Sequence, residues 1–117
     1  MPVKIKRIYD KYEKGDGYRI LVDGLWPRGI KKEDAKLDEW NKELAPSTAL
    51  RKWFDHKDER FAEFSKKFYK EIFPAKAEEI GRLMELAKKK NVTILYGARN
   101  TSSNHAAVLR AMISNEW

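Results

Sequence analysis

Apolar and polar positions alternate near the start of the chain and run together near its end, with a three-to-four-residue rhythm between. Val3, Ile5 and Ile8 are interleaved with lysines and Arg7, the period of a strand with one wet face. Asp10 to Gly17 reads as a polar turn, and Tyr18 to Asp23 as a short buried strand whose carboxyl end delivers Asp23. Leu37 to Leu44 matches neither period well and is read as a strand. Ala45-Pro46-Ser47 is a helix start: the Ser47 hydroxyl can accept from first-turn amides, and Leu50, Trp53 and Phe54 then share a face as far as about Asp55. Asp58 is read as the next N-cap, ahead of Phe61, Phe64, Phe68 and Ile72, and Pro74 ends or kinks that helix. A helix over about 75–89 places Ile80, Leu83, Met84 and Ala87 on one stripe, with Lys88-Lys89-Lys90 as its solvated C-terminus. Val92 to Tyr96 is apolar enough to sit at the centre of a sheet covered on both faces. A loop over 97–102 and a last helix from Asn104 to Ser114 follow. This succession predicts an α/β fold: one three-layer domain over residues 1–117, with a small, mainly parallel sheet flanked by helices.

Charge narrows the choice of partner. Lys and Arg number 25 against 18 acids, a formal net charge of +7, which favours anionic or phosphorylated partners. The excess is concentrated at the two ends, with ten bases and six acids in residues 1–36 and seven bases and four acids in residues 74–117. With no cysteine and two histidines, thiolate chemistry is excluded, and neither a metal site nor a cofactor is expected. No run of apolar residues is long enough to span a bilayer, and Met1-Pro2-Val3-Lys4 lacks the apolar core of a secretory signal, so no membrane partner is expected and the cytoplasm is the expected location.

Two loops carry the candidate chemistry, because ligands of open α/β sheets gather outside the carboxyl ends of the strands. In the first, over 23–32, Asp23 is followed by Trp26 as a flat apolar surface, Pro27 as a fixed corner and Arg28 as a planar fork for carboxylate or phosphate. An Arg28–Asp23 ion pair bracing a loop over a core Trp26 is the alternative reading. In the second, over 96–105, Arg99, Asn100 and Asn104 surround a helix start that favours an anion, and His105 is the catalytic candidate as acid or base. His105 beside Val108, Leu109 and Met112 also fits a core histidine. Ser47 and Arg51 offer a third anion contact or plain capping. The glycines of a P-loop or dinucleotide fingerprint are absent, as is a hydrolase triad in recognisable order.

The run Tyr18 to Ile30, then Ala45-Pro46-Ser47 with Leu50 to Phe54, then Leu95 to Ala98 with Asn104-His105-Ala106, resembles the YeaO-like family of small prokaryotic proteins of unknown function. The resemblance covers essentially the whole chain and implies an α/β fold with a largely parallel sheet. Members of that family commonly carry Arg where Gly24 stands here, so the resemblance implies one cation fewer beside Asp23. More distant relatives carry a cysteine at the end of the last strand and a Cys-His-Arg run at the final helix. The comparable positions here are Tyr96 and Asn104-His105-Ala106, and only the histidine carries over.

These readings converge on a small anionic molecule, phosphorylated or carboxylated, held between the two loops by Arg28 and Arg99, with His105 moving any proton. The alternatives are a nucleic-acid-binding module that stacks bases on Trp26, without any helix-turn-helix pattern, and a protein-interaction subunit presenting apolar surface such as Trp117.

Overall fold

The computed structural model describes residues 2–115, so Trp117 lies outside the described residues. Four strands, β1 (Val3–Arg7), β2 (Tyr18–Leu21), β3 (Glu39–Trp40) and β4 (Val92–Tyr96), form one parallel sheet in the order β1-β4-β2-β3. Among the described residues five α-helices accompany it: α1 (Lys32–Ala35), α2 (Thr48–Phe54), α3 (Phe61–Ile72), α4 (Ala77–Lys89) and α5 (His105–Ile113). β4 pairs on both sides, with Val92 opposite both Val3 and Tyr18, and all five of its residues are buried. Its unbroken apolar run is the pattern of an interior strand.

The two-residue period of the strands sorts side chains between the faces. Val3, Ile20, Val22, Val92, Ile94 and Tyr96 enter the larger core, beneath Phe64, Phe68 and Ile72 of α3, Ile80 and Leu83 of α4, and Leu109 of α5. The helical stripes read from the sequence are therefore core. Leu21 and Leu95 point the other way and join Ile8 and Ala35 in a smaller cluster, against which Trp26, Ile30, Leu37 and Trp40 pack. This second face is covered by one short helix and a loop rather than by long helices.

On that face Lys4, Thr93 and Arg19 stand in one row across β1, β4 and β2. Asp16 closes over them, fully buried, pairing with Lys4 (2.9 Å), Lys6 (3.0 Å) and the buried Arg19. Burial alone would raise its pKa, but hydrogen bonds from Lys4, the Glu13 amide, Lys6 and Arg19 outweigh it and hold the carboxyl well below its ordinary 3.8. Gly17 next to it has φ +65° and passes so close to Asn91 that a Cβ there would sit 2.3 Å from the Asn91 carbonyl. Only glycine fits both demands.

Some local expectations need correction. The stretch over 37–44 contains only the two-residue β3 and a 3-10 turn over 42–44. Glu39 and Asn41 are tied to α4 instead, Glu39 by a bidentate pair with Arg82 (3.0 and 2.6 Å) and Asn41 by a bond to Glu79 (2.7 Å). Asp58 does not cap α3. It begins a 3-10 turn over 58–60, and its carboxylate accepts from the Asn100 side chain at 2.7 Å. Ser47 and Asn104 do cap α2 and α5, accepting from the amides of Leu50 (3.1 Å) and Ala107 (2.9 Å). No helix among the described residues is long and apolar enough to cross a membrane.

Candidate functional site

Beyond its last paired residue β2 continues through Val22, whose amide donates to Leu95 (3.1 Å), and so carries Asp23 to the carboxyl rim beside the end of β4. There Asp23 Oδ2 accepts from the Gly97 amide at 2.8 Å. Position 97 has no side chain to obstruct this, since a Cβ would stand only 3.0 Å from that oxygen. The two loops that the sequence singles out thus meet, although 74 positions separate Asp23 from Gly97.

Each turn of the second loop has a local cause. Arg7, at the end of β1, donates to the carbonyls of Ala98 (2.8 Å) and Gly97 (3.2 Å) and holds the chain down. Asn100 Oδ1 gathers the amides of Ser102 (2.9 Å) and Ser103 (2.8 Å), which bends the loop on itself. Asn104 is buried and caps α5 with one end of its amide while the other donates to the Asn100 carbonyl at 2.9 Å. Burial foremost, and then the Asp10 charge, push the Tyr96 phenol above its ordinary value.

His105 opens α5 with its ring edge-on to Phe68, 6.1 Å between centroids at 87°. Its Nε2 lies 3.1 Å from the Val22 carbonyl and 3.3 Å from Asp23 Oδ1. That Asp23 oxygen is inaccessible to solvent and accepts no hydrogen bond among the described residues, so His105 stands beside it at ion-pair distance. Imidazole and carboxylate thus form a pair at the wall of a cleft of about 760 Å³.

Asp23, Ser47, Arg51, Asn104 and His105 line that cleft. Trp26, Arg28, Arg99 and Asn100 do not. The first loop divides at its tip: Asp23 to Leu25 face the cleft, whereas Trp26 turns to the opposite face of the sheet, donates to the Ile30 carbonyl at 2.7 Å and packs edge-on against Trp40 at 5.2 Å. Arg28 is exposed, its carbonyl accepts from the Tyr9 hydroxyl at 3.0 Å, and no ion pair joins it to Asp23 among the described residues. Arg99 is exposed as well. Asn100 shapes the loop from behind. Ser47 lines the cleft, but its hydroxyl donates to Glu71 as it caps α2.

Sequence reasoning missed Lys42, His56 and Leu25, which also line the cleft. Lys42 places its ammonium over the Trp40 ring at 4.3 Å. His56 follows Asp55 in the left-handed region, φ 55° and 49°, where the chain leaves α2. Its position just past a helix end in a chain with only two histidines is the signal that was available. Leu25 is 70% exposed at the cleft mouth, a large apolar side chain left in solvent. Phe54 and Phe64 form apolar wall. Among the described residues no three His, Asp or Glu side chains gather closely enough to ligate a metal ion.

A parallel sheet with a cleft at its carboxyl rim defines the chain as a small α/β protein with one histidine–aspartate pair in that cleft. It belongs to the family described as the inactive DUF488-N3 subclade, whose match spans residues 2–117. The chain is 53% identical over 110 residues to the uncharacterized protein YeaO of Escherichia coli (strain K12), covering 93% of this chain and 94% of that one. It is 37% identical over 112 residues to the uncharacterized protein Rv3073c of Mycobacterium tuberculosis (strain ATCC 25618 / H37Rv), covering 96% and 93% of the two chains. The YeaO-like resemblance is therefore membership. No solved structure gives a significant match.

Proposed function

We propose that the strand-end cleft binds a small molecule bearing a carboxylate or phosphate group. The observation that carries this reading is the Arg51 guanidinium, which lines the cleft and has no acidic partner among the described residues. Among the described residues Asp23 is the one carboxylate in that lining, and it is already turned to the Gly97 amide and His105. A planar guanidinium matches the two oxygens of a carboxylate or phosphate, and the apolar walls strengthen each ionic contact by thinning the water around it. Lys42 adds a second cation to the lining. Arg28 and Arg99 lie outside it, so Arg51 takes the role first read for them.

The family description as inactive supports binding as the core of the function. Where a proton is moved, His105 is the group to move it. The anion reading is preferred to the nucleic-acid one because Trp26, the ring first read as a stacking surface, packs edge-on against Trp40. The exposed Tyr9 and Tyr12 already have Arg7, and Arg19 with Lys36, over their rings.

A thermal-shift panel of phosphate, phosphomonoesters and carboxylates tests the proposal. A ligand at a hundred times its dissociation constant adds about 2.7 kcal/mol of apparent stability. At least one anion should stabilise the protein, and Arg51→Ala, at an exposed position, should abolish the response without altering the unliganded melting temperature. No response to any anion, or an undiminished one in Arg51→Ala, refutes it.

A further inference from the structure

The geometry around His105 assigns the ligand a second chemical feature, an inference that rests on the anion-binding reading. A backbone carbonyl can only accept a hydrogen bond. With Nε2 at 3.1 Å from the Val22 carbonyl, that nitrogen must carry the proton and donate it there, while Asp23 Oδ1 stands beside it at 3.3 Å as a neighbouring charge. Asp23 cannot swing away, because its other oxygen is held by the Gly97 amide at 2.8 Å. Phe68 edge-on to the imidazole limits rotation of the ring. The tautomer is thus set by partners behind the ring, as a second hydrogen bond generally sets it in histidine sites.

What remains is Nδ1. It has no hydrogen-bond partner among the described residues, and it is not one of the buried polar atoms left without one. It is therefore open to solvent, on a residue that lines the cleft. In the neutral ring it presents a lone pair. Two of the cleft's other polar side chains are already engaged: Asn104 is bonded at both ends of its amide, and the Ser47 hydroxyl donates to Glu71.

We infer that the ligand carries a hydroxyl or N–H donor beside its anionic group, the anion meeting Arg51 and the donor meeting the open Nδ1 of His105. The class is that of hydroxy acids, hydroxylated phosphomonoesters and their amino counterparts, rather than simple anions. Asp23 acts through His105 as a positioning residue.

Matched probes separate this inference from the one beneath it. Glycerol 3-phosphate and propyl phosphate share a charge and differ in hydroxyls, as do lactate and propionate. Titrations should show the hydroxylated member of at least one pair binding about tenfold more tightly, the worth of one good hydrogen bond. His105→Phe keeps an aromatic ring against Phe68 but carries neither a donor nor a lone pair. It should erase that preference, so that the two members of each pair bind it equally. In the free protein, nitrogen NMR of the ring should report protonated Nε2 and bare Nδ1. Equal affinities within both pairs, a preference that survives His105→Phe, or a wild-type ring protonated at Nδ1 overturns this inference alone. Binding of no probe removes the anion-binding reading together with it.

Discussion

The missing side chain at position 97 decides how closely the ends of β2 and β4 can approach. An alanine Cβ there would stand 3.0 Å from Asp23 Oδ2, tighter than ordinary contact, so the carboxylate would have to retreat by a few tenths of an ångström. The same retreat withdraws Asp23 Oδ1 from His105, because the two oxygens move as one group. Gly97→Ala should therefore cost about 1 kcal/mol of stability, a fall of about 4 °C in melting temperature, and should also weaken the anion response. Gly24→Ala is the control. Its new Cβ would meet Ala45 at 3.6 Å, an ordinary contact, and both readouts should stay at wild-type values. Calorimetry of the two variants with and without anion gives the comparison. Equal losses in both would show that position 97 has no special bearing on Asp23.

Elements built from local signals were legible, and those built from distant partners were not. β4 and α5 follow from an unbroken apolar run and from Asn104 ahead of a helical stripe, so their bounds agree with the sequence reading to within a residue or two. β3 is different: two residues pair with Ile20 and Leu21, and Glu39 is clasped by Arg82 from 43 positions away. Nothing within the window 37–44 encodes that partner. The 23–32 loop failed for a related reason, since Trp26 chooses its face of the sheet by packing on Trp40, which no local periodicity reveals. Asp23 and His105 were legible because strand ends and helix starts are local features, and Arg51 was legible only as one option beside capping. The start of α5 shows how one local residue serves both levels. Asn104→Ala removes the cap on the Ala107 amide and the donor to the Asn100 carbonyl. It should cost about 2–3 kcal/mol, and hydrogen exchange should rise first at the amides of Ala107 and of the 100–104 loop. Exchange that rises evenly along the chain would argue against that local origin.

The whole molecule has opposite chemistry on the two faces of its sheet, one oily beneath the long helices, the other crossed by a row of cations around Asp16. Acid stability is where this division becomes measurable. The folded state holds Asp16 well below its ordinary 3.8, so between those two values the unfolded chain binds the extra proton. Stability therefore rises with pH across that window, is fully present above about pH 4, and is lost as pH falls through the folded value. Glu39 adds to the same trend, because bonds from Arg82, Tyr18 and Asn41 outweigh its burial and lower its pKa. At the alkaline end the sign reverses. Burial and the Glu39 charge raise Tyr18, so its contribution is present below about pH 10 and lost as pH rises through the folded value. Asp16→Asn separates the acid term from the rest. It leaves the buried Arg19 without its carboxylate and should cost about 3–5 kcal/mol at neutral pH. With no proton left to take up at that position, its urea-unfolding free energy should also fall less steeply than that of the wild type between about pH 4 and pH 2. The two curves should converge on acidification, because protonation of Asp16 removes from the wild type what the substitution removes at every pH. Curves that stay parallel throughout would mean that the Asp16 cluster contributes packing and hydrogen bonds but no charge-dependent stability.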